Sequence, residues 1–133
     1  MTDLRDDDHC FVCGRANPIG LKLSFDVDLT TRQISAVFRP DRRFQGWKNR
    51  LHGGILSAIM DESMVNVAYL LDMPAVTGEM TIRYREPVDT DQPLTITGRL
   101  IEVRSKFIRA ESACRTATGA RVADATALLI RLS

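Results

Sequence analysis

One stretch constrains this chain more than any other. Over residues 53–72 the alternation of apolar and polar residues stops, and helix-compatible residues run for about twenty positions, or about 30 Å of α-helix. Ile55, Leu56, Ala58, Ile59, Met60, Met64, Val65, Val67, Ala68, Leu70 and Leu71 fall on nearly every side of it. A helix that is apolar all round is a buried one. Asp61, Glu62, Ser63 and Asn66 interrupt the apolar run, so it does not read as a membrane span, and Pro74 stops it.

The flanks have a different texture. Leu21, Leu23, Phe25, Val27 and Leu29 alternate with Lys22, Ser24, Asp26 and Asp28, which predicts a strand with one wet face. Ile34, Ala36 and Phe38 predict a second, closed by Pro40, and 41–50 reads as an irregular loop. Beyond Pro74, Val76, Met80, Ile82 and Tyr84 are expected to face one way, and Thr77, Glu79, Thr81, Arg83 and Arg85 the other. Three more strands are expected over 93–103, 106–116 and 121–131, the last two joined by a hairpin turn at 117–119. The order is two strands, one long buried helix, then four strands. An α+β architecture, with a curved antiparallel sheet of about six strands wrapped around the helix, encloses such a helix most economically. One helix leaves sheet edge uncovered, so pairing into a homodimer is expected.

A length of 133 residues without repeats or linkers suits a single domain, 1–133. A net charge of +1 gives no push toward nucleic acid or an anionic membrane surface. Residues 1–8 are acidic and polar and do not read as a signal peptide; with three cysteines, an odd number, a reducing cytoplasmic setting is expected. His9-Cys10-x-x-Cys13 invites a zinc reading, but a structural zinc needs four ligands, and Cys114 and His52 are the only other cysteine and histidine. A lone Cys-x-x-Cys is half a site, and the expectation is no metal, with the turn packing the N-terminal segment against the sheet. Cys114 sits in a strand pattern and is expected to be a buried small hydrophobe.

The chemistry is expected between His52 and Asp61. Gly53 and Gly54 stand where the first free N–H groups of the helix point outward, and allow backbone close to a ligand. Such groups, with the helix dipole, suit an oxygen that gains negative charge. Asp61 shares a helix face with Ser57, Met64, Val65 and Ala68, three of them apolar. A carboxylate there is costly unless it has a partner or a task. It is either a structural group bonded to a backbone amide of a neighbouring strand or a functional one; the glycine pair favours function. Glu62 points about 100° away, so a polar contact at a dimer interface suits it better than a paired-carboxylate mechanism. Arg39, Arg42, Arg43, Lys48 and Arg50, and later Arg83, Arg85, Arg104, Lys106 and Arg109, form either a solvated face or a phosphate-binding one. There is no Gly-rich phosphate loop and no nucleophile elbow.

His52-Gly53-Gly54 followed by Asp61-Glu62 in a long apolar helix resembles the signature of hotdog-fold thioesterases of the phenylacetate-pathway (PaaI-like) type, in the 4-hydroxybenzoyl-CoA thioesterase superfamily. Cys10-Phe11-Val12-Cys13-Gly14, Asn17-Pro18-Ile19-Gly20-Leu21 and Phe44-Gln45-Gly46-Trp47 are similar to stretches of such proteins. The resemblance implies an acyl-CoA thioesterase with no cofactor besides the coenzyme A of its substrate. Asp61 would be the catalytic base or nucleophile. The Gly54 N–H would polarise the carbonyl, His52 would orient the loop or the leaving thiolate, and Thr77 would position water. Gly53, Asn49, Gln45 and Met64 would contact substrate. The site would lie between two subunits of a homodimer, itself paired into a dimer of dimers. Relatives often carry Asn or Gln where this chain has Gly46, with Gln45 and Asn49 the nearby substitutes. A non-catalytic acyl-CoA or small-ligand binding protein is the alternative, and a dehydratase a weaker one.

Overall fold

The computed structural model describes residues 4–132; residues 1–3 of the acidic opening stretch and Ser133 lie outside them. Six strands form one antiparallel sheet: β1 (Asp26–Asp28), β2 (Gln33–Phe38), β3 (Ala75–Tyr84), β4 (Leu94–Val103), β5 (Phe107–Thr116) and β6 (Arg121–Arg131). Their spatial order is β1-β2-β4-β5-β6-β3, so β1 and β3 are the edges. The sheet curves around one helix, α1 (Gly53–Leu70), the hotdog arrangement. No helix of the described residues is long and apolar enough to cross a membrane.

Strands β4, β5 and β6 start and stop within a residue of where alternation predicts them. Gly119, at φ 89°, closes the β5–β6 hairpin in the left-handed region that favours glycine. Two expectations need correction. The 21–29 segment forms a strand only at Asp26–Asp28. Lys22 has φ 55°, and the N–H groups of Leu21 and Leu23 donate to the carbonyls of Phe11 and Val12 (2.8 and 2.9 Å), so the N-terminal segment takes the bonds a sheet neighbour would have taken. Leu23 is still buried, but Val27 and Leu29 are exposed. In β3 the register against β6 shifts between Thr77 and Glu79, with Gly78 as the extra residue of a bulge. One extra residue exchanges the two faces. Ala75 and Thr77 therefore face inward with Met80 and Ile82, while Val76 is exposed, opposite to the expected phase.

The helix buries Leu56, Ile59, Met60, Ser63, Met64, Val67 and Ala68 against the sheet. Its other side is not enclosed within the chain: Ile55, Ala58, Asp61 and Val65 are half-buried, and Tyr69 and Leu70 are exposed. Where α1 crosses β4 the two backbones nearly touch. A Cβ on Gly98 would lie 2.3 Å from the Ser63 carbonyl oxygen. Beside this crossing, the fully buried Ser63 hydroxyl bonds the Met60 carbonyl (2.6 Å) and the Ser112 hydroxyl (2.8 Å). Each hydroxyl has one proton, so Ser63 donates to Met60 and accepts from Ser112. Ser63→Ala would strand the Ser112 hydroxyl and is expected to cost about 1–3 kcal/mol in urea denaturation. The double change with Ser112→Ala should cost less than Ser63→Ala alone; a cost equal to or above that of Ser63→Ala would contradict this account.

Candidate active site

The loop before α1 is fixed by its own backbone. His52 N–H donates to the Phe44 carbonyl (2.9 Å), Gly46 N–H to Arg50 (2.9 Å) and Leu51 N–H to Val88 (2.8 Å). Asn49 takes φ 61°, and its N–H meets the Gln45 side-chain oxygen at 3.3 Å. Gln45 and Asn49 thus bond each other within the loop. Gly46 lies against His52; a Cβ there would be 3.5 Å from the ring Cδ2.

His52 is the N-cap of α1, and its Nδ1 accepts the Gly54 N–H at 2.8 Å. An accepting Nδ1 puts the proton of the neutral ring on Nε2, and His52 as a whole is exposed. Tyr84, which sequence patterning marks only as a strand residue, donates its hydroxyl to the Gly53 carbonyl (2.9 Å) and ties β3 to the helix start. A cleft of about 210 Å³ opens there, lined by Leu51, Gly53, Leu56, Tyr84, Arg85 and Val88 among others.

Further along α1, Asp61 is half-buried, and its Oδ1 accepts the Thr77 hydroxyl at 2.5 Å. The Gly78 bulge makes this contact possible by turning Thr77 inward. Asp61 and Thr77 are therefore brought together, as are His52 and Gly54, but the two pairs are apart. Asp61 and Gly54 are seven residues apart on the helix, about 10 Å along its axis. Met64 is fully buried in the core, on the sheet side of the helix rather than on the open face.

Of the basic residues, Arg43 pairs with Asp41, Arg50 with Asp89, Arg85 with Asp124, and Arg104 and Arg109 with Glu102. Arg39 donates to the Asp91 carbonyl at 2.8 Å.

Glu62, expected to make a polar contact at a dimer interface, meets the N-terminal turn of its own chain. Cys10 and Cys13 place their thiols 3.1 and 3.0 Å from its Oε2. The turn therefore meets the helix, while Val12 within it is buried in the core. Burial, then the Glu62 carboxylate, pushes the Cys13 thiol well above its ordinary pKa. Cys114 is fully buried, which pushes its thiol up to about 12 and matches its reading as a small core hydrophobe.

The profile of the thioesterase superfamily matches residues 48–123, which takes in α1, both residue pairs and most of the sheet. The chain belongs to the thioesterase superfamily. A crystal structure of another thioesterase superfamily protein superposes with a TM-score of 0.86 at 22% identity, covering 92% of this chain and 60% of that one. This chain thus spans about three fifths of that protein's length. A hypothetical thioesterase from Streptococcus pneumoniae TIGR4, crystallised with coenzyme A, gives 0.78 at 18% identity, covering 84% and 86% of the two chains. The E. coli PaaI protein of the phenylacetic acid degradation operon gives 0.78 at 16% identity, covering 85% and 81%. At these identities the likeness establishes the hotdog fold. No curated protein matches the sequence.

Proposed function

We propose that this thioesterase superfamily member hydrolyses an acyl- or aryl-CoA thioester to the free acid and coenzyme A. The observation that carries the proposal is the Asp61 carboxylate, held by Thr77 on the helix face that the chain's own sheet leaves uncovered. Thr77 donates to Oδ1, so Oδ2 is the oxygen left to take a proton from an attacking water. Membership of the superfamily, and the coenzyme A bound to the Streptococcus pneumoniae protein of the same fold, support a CoA thioester as substrate.

Reacting atoms must come within about 3–3.5 Å, whereas Asp61 and the helix start of one chain are about 10 Å apart. Both can reach one carbonyl if Asp61 of one copy meets the His52–Gly54 turn of a second. The exposed Val76 and Tyr84 on the edge strand β3 support such pairing. So does the small cleft at the helix start, which is below the roughly 300–1,000 Å³ usual for a ligand pocket and needs a second wall. In that site the His52 Nε2–H and the helix N-terminus would face the carbonyl oxygen and the leaving thiolate. Arg42, Lys48, Arg83 and Lys106, for which no acidic partner is found among the described residues, are the cations proposed for the phosphates of coenzyme A.

Thr77 acts in this scheme as a positioning residue. Thr77→Val is expected to lower kcat about 10–100-fold, the equivalent of a lost hydrogen bond to a charged group at about 1.5–3 kcal/mol, with KM little changed. Thr77→Ser should restore most of the rate; an unrestored rate would mean that packing, not the hydroxyl, matters.

A non-catalytic acyl-CoA binding protein is favoured by one observation: the Gly54 N–H already bonds His52. Free-thiol release from a panel of aryl, short, medium and long acyl-CoAs decides between the two. Binding without turnover of any of them would establish the binding protein.

A further inference from the structure

The N-terminal turn and the helix meet in a cluster that the thioester chemistry does not use. Cys10, Cys13 and Glu62 each offer one donor atom, all three atoms lying within 4.8 Å of one another, and all three residues are half-buried. We propose that these residues form a binding site for a zinc-class divalent cation, with its fourth position open to solvent.

The geometry supports this in three ways. First, the spacing fits. Tetrahedral zinc with bonds of about 2.3 Å to sulfur and about 2.0 Å to oxygen holds sulfur and oxygen about 3.5 Å apart and the two sulfurs about 3.8 Å apart. The Glu62 Oε2 now lies 3.1 and 3.0 Å from the two sulfurs, bridged by the thiol protons. A cation that replaces both protons needs the carboxylate oxygen to draw back from each sulfur by only about half an ångström, the protons passing to solvent.

Second, the sulfurs have the outer contacts that support metal thiolates. The N–H groups of Val12 and Cys13 point at the Cys10 Sγ (3.3 and 3.5 Å), and the Asn66 side-chain amide points at the Cys13 Sγ (3.9 Å). Third, the turn is held shut. Gly14 N–H bonds the Cys10 carbonyl at 2.9 Å, and a Cβ on Gly14 would lie 2.4 Å from the Cys10 nitrogen, so this curl of chain needs glycine there.

Two thiolates with one carboxylate select zinc or cobalt over the hard, oxygen-seeking magnesium and calcium. Three protein ligands leave one coordination position. All three ligands line a cavity of about 600 Å³, to which Asn66, Phe25 and Tyr69 also contribute, so a water or small anion can complete the shell. Glu62 is 49 and 52 residues from its sulfur partners, which is why Cys-x-x-Cys alone looks like half a site.

The test uses the tag-free chain, reduced and stripped by chelator, then titrated with zinc or cobalt alone. The expected result is one cation per chain, cobalt spectra with thiolate charge-transfer and tetrahedral bands, and protection of two thiols from a thiol reagent. A higher thermal midpoint with zinc is expected as well. Cys10→Ser with Cys13→Ser should abolish binding, and Glu62→Gln should weaken it at least about tenfold. Glu62→Gln keeps the side-chain shape, so it remains informative if the cysteine variants fold poorly. The proposal is overturned if binding is substoichiometric, if cobalt binds without thiolate bands, or if Glu62→Gln keeps the wild-type affinity.

Discussion

Asp61→Asn is expected to lower kcat for thioester hydrolysis about 10²–10⁴-fold, the range for losing a positioned general base. The amide keeps the shape of the carboxylate and an oxygen that can accept the Thr77 hydroxyl. Folding and acyl-CoA binding should therefore change little, and the loss should appear in kcat rather than KM. A second measurement separates the two roles open to a carboxylate. In a single turnover in ¹⁸O water, a general base leaves label only in the released acid. A nucleophile forms an anhydride, and its hydrolysis can leave label in Asp61 itself. Full activity in the Asn variant would remove Asp61 from the mechanism.

Gly98→Ala is expected to be the most damaging single substitution for folding. The added methyl would sit 2.3 Å from the Ser63 carbonyl oxygen, 2.7 Å from its carbon and 2.8 Å from its hydroxyl. Two of these are backbone atoms of α1, which cannot rotate aside as a side chain would. Relief needs the helix to lift from β4, opening space around Ile59, Met60 and Met64. We expect a loss of at least about 3 kcal/mol, the upper end for overpacking a core, or failure to accumulate folded protein. Denaturant melts of purified protein, with circular dichroism of whatever folds, measure it. A change below about 1 kcal/mol would mean that the helix is less tightly seated than this crossing implies.

Much of this fold was legible because its elements are long and their periods clean. Strands β4 to β6 alternate over most of their length, with register shifts only between Leu100 and Glu102 and between Cys114 and Arg115, and α1 breaks that alternation over eighteen residues. The failures have local causes. In β3 the alternation is sound on either side of Gly78 and misleading across it, because one bulge residue reverses the phase. In the 21–29 segment, the backbone bonds to Phe11 and Val12 prevailed over a regular strand, and no pattern of side chains reports such a competition. The candidate site divides similarly. Asp61, Thr77, His52 and Gly54 could be named from resemblance, but not that Gly54 would bond His52, nor that Met64 would be sealed in the core. Helical arithmetic puts Met64 beside Asp61, yet the edge of the buried arc runs between them. Glu62 could join the two cysteines only through tertiary folding.

The crossing at Gly98 has a bearing on tuning and drift. Ser63 is seated on the sheet two residues beyond Asp61, on the other side of the same rigid rod. The aim of Asp61 toward Thr77 is therefore set from behind. A slide or roll of α1 in its seat would move the carboxylate by a similar amount, with no change in any residue near the reacting carbonyl. Changes at Ser63 and Ser112 that shift the helix in its seat without unseating it would then register as altered turnover. A survey of slow variants should include this hidden seat as well as the open face.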